Sequence, residues 1–169
     1  MTQTRGTLME GLLLTALAAL VCAPPARAQA RGATPLVVTA QNITAQTAGR
    51  ADKGVAQPGD EIRYRLVFTN VTTGPVKNIQ FVDPIPSGMA YVPGSATSDQ
   101  RVRAEYSIDS GRTYSARPTI SVIENGKPVQ KPAPPERYTH VRWTVVSALA
   151  RGAQVIVEFQ ARVSEAPGK

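Results

Sequence analysis

Residues 55–95 read VAQPGDEIRYRLVFTNVTTGPVKNIQFVDPIPSGMAYVPGS. Pro58-Gly59-Asp60 is a turn triplet, since proline presets φ and glycine accepts conformations closed to other residues. It opens a stretch in which Ile62, Tyr64, Leu66 and Phe68 fall on one side. Glu61, Arg63, Arg65, Val67 and Thr69 fall on the other. Side chains of a strand alternate between its two faces, so this pattern predicts a half-buried strand of an antiparallel sheet. After a polar loop, a second strand is predicted over 76–82, carrying Ile79 and Phe81 inward. Asp83-Pro84-Ile85-Pro86 stops it, and Gly88 turns the chain into a short strand at 89–92.

The same period of two recurs downstream. Val102, Ala104, Tyr106 and Ile108 alternate with Arg101, Arg103, Glu105 and Ser107. Val141, Trp143 and Val145 share one face, as do Val155, Val157, Phe159, Ala161 and Val163. Shorter strands are predicted at 35–40, 119–123 and 128–130. The last two flank Asn125-Gly126, a two-residue hairpin turn in which both positions tolerate positive φ. The prolines of residues 131–135, KPAPP, make an extended connector unfit for a central strand. No helical period of useful length follows residue 30. Roughly 7–9 short strands separated by Gly and Pro predict an all-β protein, an antiparallel β-sandwich. No internal repeat is present, which excludes a propeller or solenoid.

Residues 1–30 read as a secretory signal peptide. Arg5 precedes the apolar run LLLTALAALVCA at 12–23, Pro24 and Pro25 follow it, and cleavage is expected after Ala28 or Ala30. The run falls short of the roughly 20 residues of a membrane span. Cys22 follows Val21, where a lipoprotein signal needs a small residue. Cleavage would remove this single cysteine, leaving a chain without disulfides. Residues 31–169 then form one domain, periplasmic, extracellular or on the cell surface. The formal net charge is +7, yet the arginines are dispersed and aromatics make up 5% of the chain. Nucleic-acid binding needs a concentrated basic stripe with stacking rings, so that class is excluded.

Residues 55–95 also resemble a bacterial repeat family known as domain of unknown function eleven, and the resemblance covers most of residues 36–164. Pro58-Gly59-Asp60, Ile62, Tyr64, Leu66 and Asn70 match its first strand. Asp83, Pro84, Pro86, Gly88, Tyr91, Val92, Gly94 and Ser95 match its second segment, and Leu149, Gly152 and residues 155–163 fit the closing strand. The resemblance implies an immunoglobulin-like sandwich of secreted or surface proteins, often in tandem, here in one copy. With no convergent catalytic groups in the sequence, the expectation is an exported, non-enzymatic module with a structural or protein-interaction role in the cell envelope or outside the cell. The alternative is a carbohydrate- or polymer-binding accessory domain. Its partner would be an envelope or surface protein, or a polysaccharide. The sequence leaves the oligomeric state open.

Several motifs touch on chemistry. Ser107-Ile-Asp-Ser-Gly-Arg-Thr-Tyr114 has the Asp-box pattern, read as a hairpin in which Asp109 bonds turn amides and Tyr114 packs beneath. His140, the single histidine, is read as a solvent-facing residue at a strand edge, because no nucleophile accompanies it. Asp52, Asp60, Glu61, Asp83, Asp99 and Asp109 match no calcium loop in spacing. Lys53 and Asn70 could be joined by an isopeptide bond, with Glu158 or Asp83 carrying the proton, though the spacing does not demand it. Asn42-Ile-Thr44 and Asn70-Val-Thr72 have the form of glycosylation sequons. No residue is assigned a catalytic, cofactor-binding or metal-binding role, and no cofactor is expected.

Overall fold

The computed structural model describes residues 35–51 and 54–165. The leader read at 1–30, together with Asp52 and Lys53, lies outside the described residues. Among the described residues the protein is mostly β, with ten antiparallel strands and one short α-helix. The strands are β1 Leu36–Asn42, β2 Glu61–Thr69, β3 Gln80–Pro84, β4 Met89–Tyr91, β5 Thr97–Ser98, β6 Val102–Ser107, β7 Thr119–Glu124, β8 Lys127–Pro132, β9 His140–Val145 and β10 Gln154–Val163. The strand absent from the sequence reading is β5, two residues that pair with β10 at Ser98 and Thr97. Two residues are too few to show a period.

One sheet runs β1-β2-β10-β4, with β5 also on β10. A second runs β3-β9-β6, and β7-β8 is a separate two-stranded ribbon. The alternation read in β2, β9 and β10 is realised. Val155, Val157, Phe159 and Ala161 are buried on one face of β10, as are Val141, Trp143 and Val145 on one face of β9. These residues join Leu66, Phe81 and Tyr91 in a single buried cluster. Trp143 on β9 meets Phe159 on β10 at 6.0 Å between ring centroids, and Phe81 on β3 meets Phe68 on β2 at 6.1 Å. Burial of each such side chain contributes roughly 1.5–3 kcal/mol relative to exposure.

Several boundaries differ from the sequence reading, most of all at 76–82. The strand expected at 76–82 is split, because Asn78 adopts φ 57. Val76 exchanges both backbone hydrogen bonds with Leu149, and the strand restarts at Gln80. It then runs through Asp83 and Pro84, because β3 is an edge strand where a missing N–H is tolerated. The helix α1, Ile43–Thr47, has only five residues and no useful apolar period. It exists because Asn42 caps it, its Oδ1 accepting from Ala45 N at 2.8 Å.

Candidate functional site

The Asp-box segment links β6 to β7 and is closed by reciprocal backbone bonds between Tyr106 and Ser115. Parity places Ser107 outward, yet it is buried, because the loop folds back over it. Its Oγ donates to Asp109 Oδ1 at 2.7 Å and accepts from the N–H groups of Asp109 and Gly111. Asp109 accepts from Thr113 N at 2.9 Å through Oδ1 and from Thr113 Oγ1 at 2.6 Å through Oδ2. The Thr113 hydroxyl and amide, then Ser107, hold the Asp109 carboxyl far below the usual carboxylate range. Gly111 has φ 81. A Cβ there would stand 3.1 Å from the Tyr114 hydroxyl and 3.5 Å from the His140 ring. Ser107, Asp109 and Thr113 are thus engaged in shaping the turn.

His140 corrects the sequence reading. It begins β9, the central strand of its sheet, paired to Pro84 on one side and Ser107 on the other. It is half-buried beneath the hairpin, with Nδ1 3.1 Å from Thr139 Oγ1. Asp83 sits on the neighbouring strand, one step from the Pro84–His140 pair. Burial pushes the Asp83 carboxyl above its usual range, and His140 opposes that shift. Asp83 Oδ2 and Trp143 Nε1 are buried without hydrogen-bond partners among the described residues.

The other carboxylates are distributed among separate structural tasks. Asp60 ties the turn at residue 58 to α1. It accepts from Gln57 N at 2.9 Å and Asn42 Nδ2 at 2.8 Å, and it pairs with Arg50. The Gln57 amide, then Asn42, hold its carboxyl below the usual carboxylate range, with Arg50 adding to them. Asp99 accepts from Ile156 N, and Glu61 pairs with Arg162. Glu158, offered as proton carrier, pairs with Arg65. Among the described residues no three of His, Cys, Asp and Glu gather as a metal cage.

Asn70 lies at the end of β2, fully buried. Its Nδ2 donates to Gly74 O at 2.8 Å and Leu149 O at 2.9 Å, and its Oδ1 accepts from Thr72 N and Oγ1. Both sequon-like triplets are therefore local devices, one a helix cap and the other a loop clasp. Lys53, the other half of the proposed isopeptide bond, lies outside the described residues.

Three tyrosines come together from distant segments, which no local pattern announces. Tyr91, Tyr106 and Tyr138 have ring centroids 5.0 to 5.5 Å apart, and the Tyr91 and Tyr106 hydroxyls are 3.0 Å apart. Burial, then the bond to Tyr91, raises the Tyr106 phenol far above its usual range. Tyr114 stands apart, with the Arg142 guanidinium 4.0 Å above its ring centroid. An apolar cleft of about 280 Å³ lies beside β1 and β2, lined by Ala40, Ala56, Ile62, Tyr64 and Met89. No family model matches the chain, and no curated protein matches it.

Proposed function

We propose that this protein is an exported, non-enzymatic, immunoglobulin-like sandwich module with a structural or protein-interaction role in the bacterial cell envelope or outside the cell. The observation that carries the reading is where its polar residues are engaged. Ser107, Asp109, Asp60 and Asn70 each bond to nearby amides, hydroxyls or carbonyls that set a turn, cap or loop. The shared core of the five-stranded and three-stranded sheets supports the sandwich, as does the resemblance of residues 55–95 to domain of unknown function eleven. Such a scaffold acts through surface and edge.

A carbohydrate- or polymer-binding role needs an accessible aromatic platform. Tyr106 and Tyr138 are packed against Tyr91, which leaves Tyr114 under Arg142 as the ring to test on a glycan array. The test of the main proposal is cell fractionation with N-terminal sequencing of the mature chain. Recovery outside the cytoplasm with a start at Gln29 or Arg31 is expected, together with no turnover of common glycosides and esters. A chain retained in the cytoplasm with its leader intact would overturn the proposal.

A further inference from the structure

The sheet edges differ in how they are protected. β3 ends at Pro84, β4 and β5 have three and two residues, and the outer face of β6 carries Arg103 and Glu105. In the ribbon, Ala133 N donates to Pro118 O, which fixes the alternation of its ladder. Residues 128, 130 and 132 of β8 then face away from β7, and two of these three outward positions are proline. A proline offers no donor to an incoming strand, so that edge is closed.

β1 has no such guard. Its sequence, LVVTAQN, contains no proline, glycine or charge, and six of its seven residues are exposed. Thr69 N donates to Pro35 O, so residues 35, 37, 39 and 41 face β2. The N–H and C=O groups of Leu36, Val38 and Ala40 point the other way and have no partner among the described residues. The side chains of these three lie opposite Phe68, Leu66 and Tyr64, on the core side of the sheet. Leu36 and Val38 nonetheless remain 39% and 54% exposed. A row of free backbone groups beside an uncovered apolar face is satisfied by one kind of ligand, an extended strand with small or apolar side chains. β7 also keeps an outward row, but its side chains there are Thr119, Ser121 and Ile123, with no second layer beneath them.

We infer that β1 is a strand-addition edge and that its occupant is β1 of a second copy of this chain, joined antiparallel about a two-fold axis at Val38. The inference rests on the interaction role proposed above and names the partner. In that register Val38 meets its own copy, and Leu36 meets the second copy's Ala40, a large residue against a small one. No charge faces a like charge, because β1 has none. The pairing is self-complementary, as a two-fold interface requires. It continues the core face of one five-stranded sheet into the next.

Sedimentation velocity of the purified mature protein, from low micromolar to several hundred micromolar, tests this. A concentration-dependent dimer is expected. Val38→Pro removes an N–H that faces away from β2, so its unfolding midpoint should match wild type. Its dimer should be roughly 30-fold weaker, about 2 kcal/mol, for two bonds lost across the axis. Val38→Lys, which sets two ammonium groups face to face, should also give monomer and guards against a folding defect in the proline variant. A wild-type monomer at every concentration overturns the inference, as does a dimer untouched by both substitutions. A monomer that captures an envelope protein through β1 overturns self-pairing and leaves the proposed function standing. A β1 dimer retained in the cytoplasm does the reverse.

Discussion

Asn70→Ala should destabilise the fold by about 2–3 kcal/mol, a large part of the stability of an ordinary domain. Four side-chain hydrogen bonds disappear, two donated to Gly74 O and Leu149 O and two accepted from Thr72. A full orphan penalty does not apply to the acceptors. Leu149 O keeps Val76 N, and Gly74 O keeps the Thr72 hydroxyl. Thr72 is exposed, so water replaces part of what its amide loses. The one Thr72 hydroxyl proton, released by Asn70, passes wholly to Gly74 O, so the net loss is three bonds at about 0.7–1 kcal/mol each, within the usual range. Urea unfolding measures it. With a slope of about 2 kcal/mol per molar, the midpoint should fall by about 1–1.5 M at unchanged slope. Asn70→Asp sharpens the test, because it preserves shape but turns both donors into an acceptor. The introduced carboxylate would face two carbonyl oxygens in a buried site, so at neutral pH the loss should exceed that of Asn70→Ala. Its folded pKa would be raised, so part of that loss should return as the pH falls. A midpoint for Asn70→Ala within error of wild type would refute the reasoning, as would Asn70→Asp proving the more stable variant at neutral pH.

Trp143→Ala should cost about 3–5 kcal/mol and leave much of the protein unfolded, whereas Trp143→Phe should cost less, because the unpartnered Nε1 is removed with the ring. Circular dichroism melts of both variants check the order. Asp83 has a folded pKa raised by burial, so ionising it costs stability as the pH rises from the unfolded value through the folded one. Asp83→Asn should therefore gain on wild type at neutral pH, with the gain vanishing below about pH 4. Paired melts at both pH values decide it, and an equal difference at each would contradict the burial argument. Gly111→Ala must accept φ 81 and a contact at 3.1 Å with the Tyr114 hydroxyl. It should lower stability by about 1–3 kcal/mol, read by thermal unfolding.

The central strands were legible in the sequence because one of their faces meets the core and the other does not. β2, β9 and β10 show this residue by residue, from Ile62 to Phe68, Val141 to Val145 and Val155 to Ala161. Patterning is weaker where burial comes from elsewhere. Ser107 sits on the outward parity of β6, and it is the returning loop that covers it. His140 is flanked in sequence by nothing that reports pairing on both sides, so its central place in the sheet is a product of topology. The run Leu36-Val37-Val38 has the composition of an interior strand and lies exposed at an edge. Composition records that a segment favours β structure and not which neighbours it acquires. α1 depends on Asn42 reaching Asp60, eighteen positions away, a contact that local propensity does not encode. The turns at Asn125-Gly126 and Gly111 were readable, because each sets a backbone conformation that few residues adopt.

Trp143 has a consequence that is optical. It is the one tryptophan of the chain, and none of its surface reaches solvent. An indole so shielded emits at short wavelength and is inaccessible to dissolved quenchers such as iodide. Its strand, β9, lies in the other sheet from β1. Edge-to-edge association at β1 should therefore leave the emission spectrum unchanged, while any loosening of the interior shifts it to the red. The molecule carries a native fluorophore that reports the integrity of its interior separately from its associations.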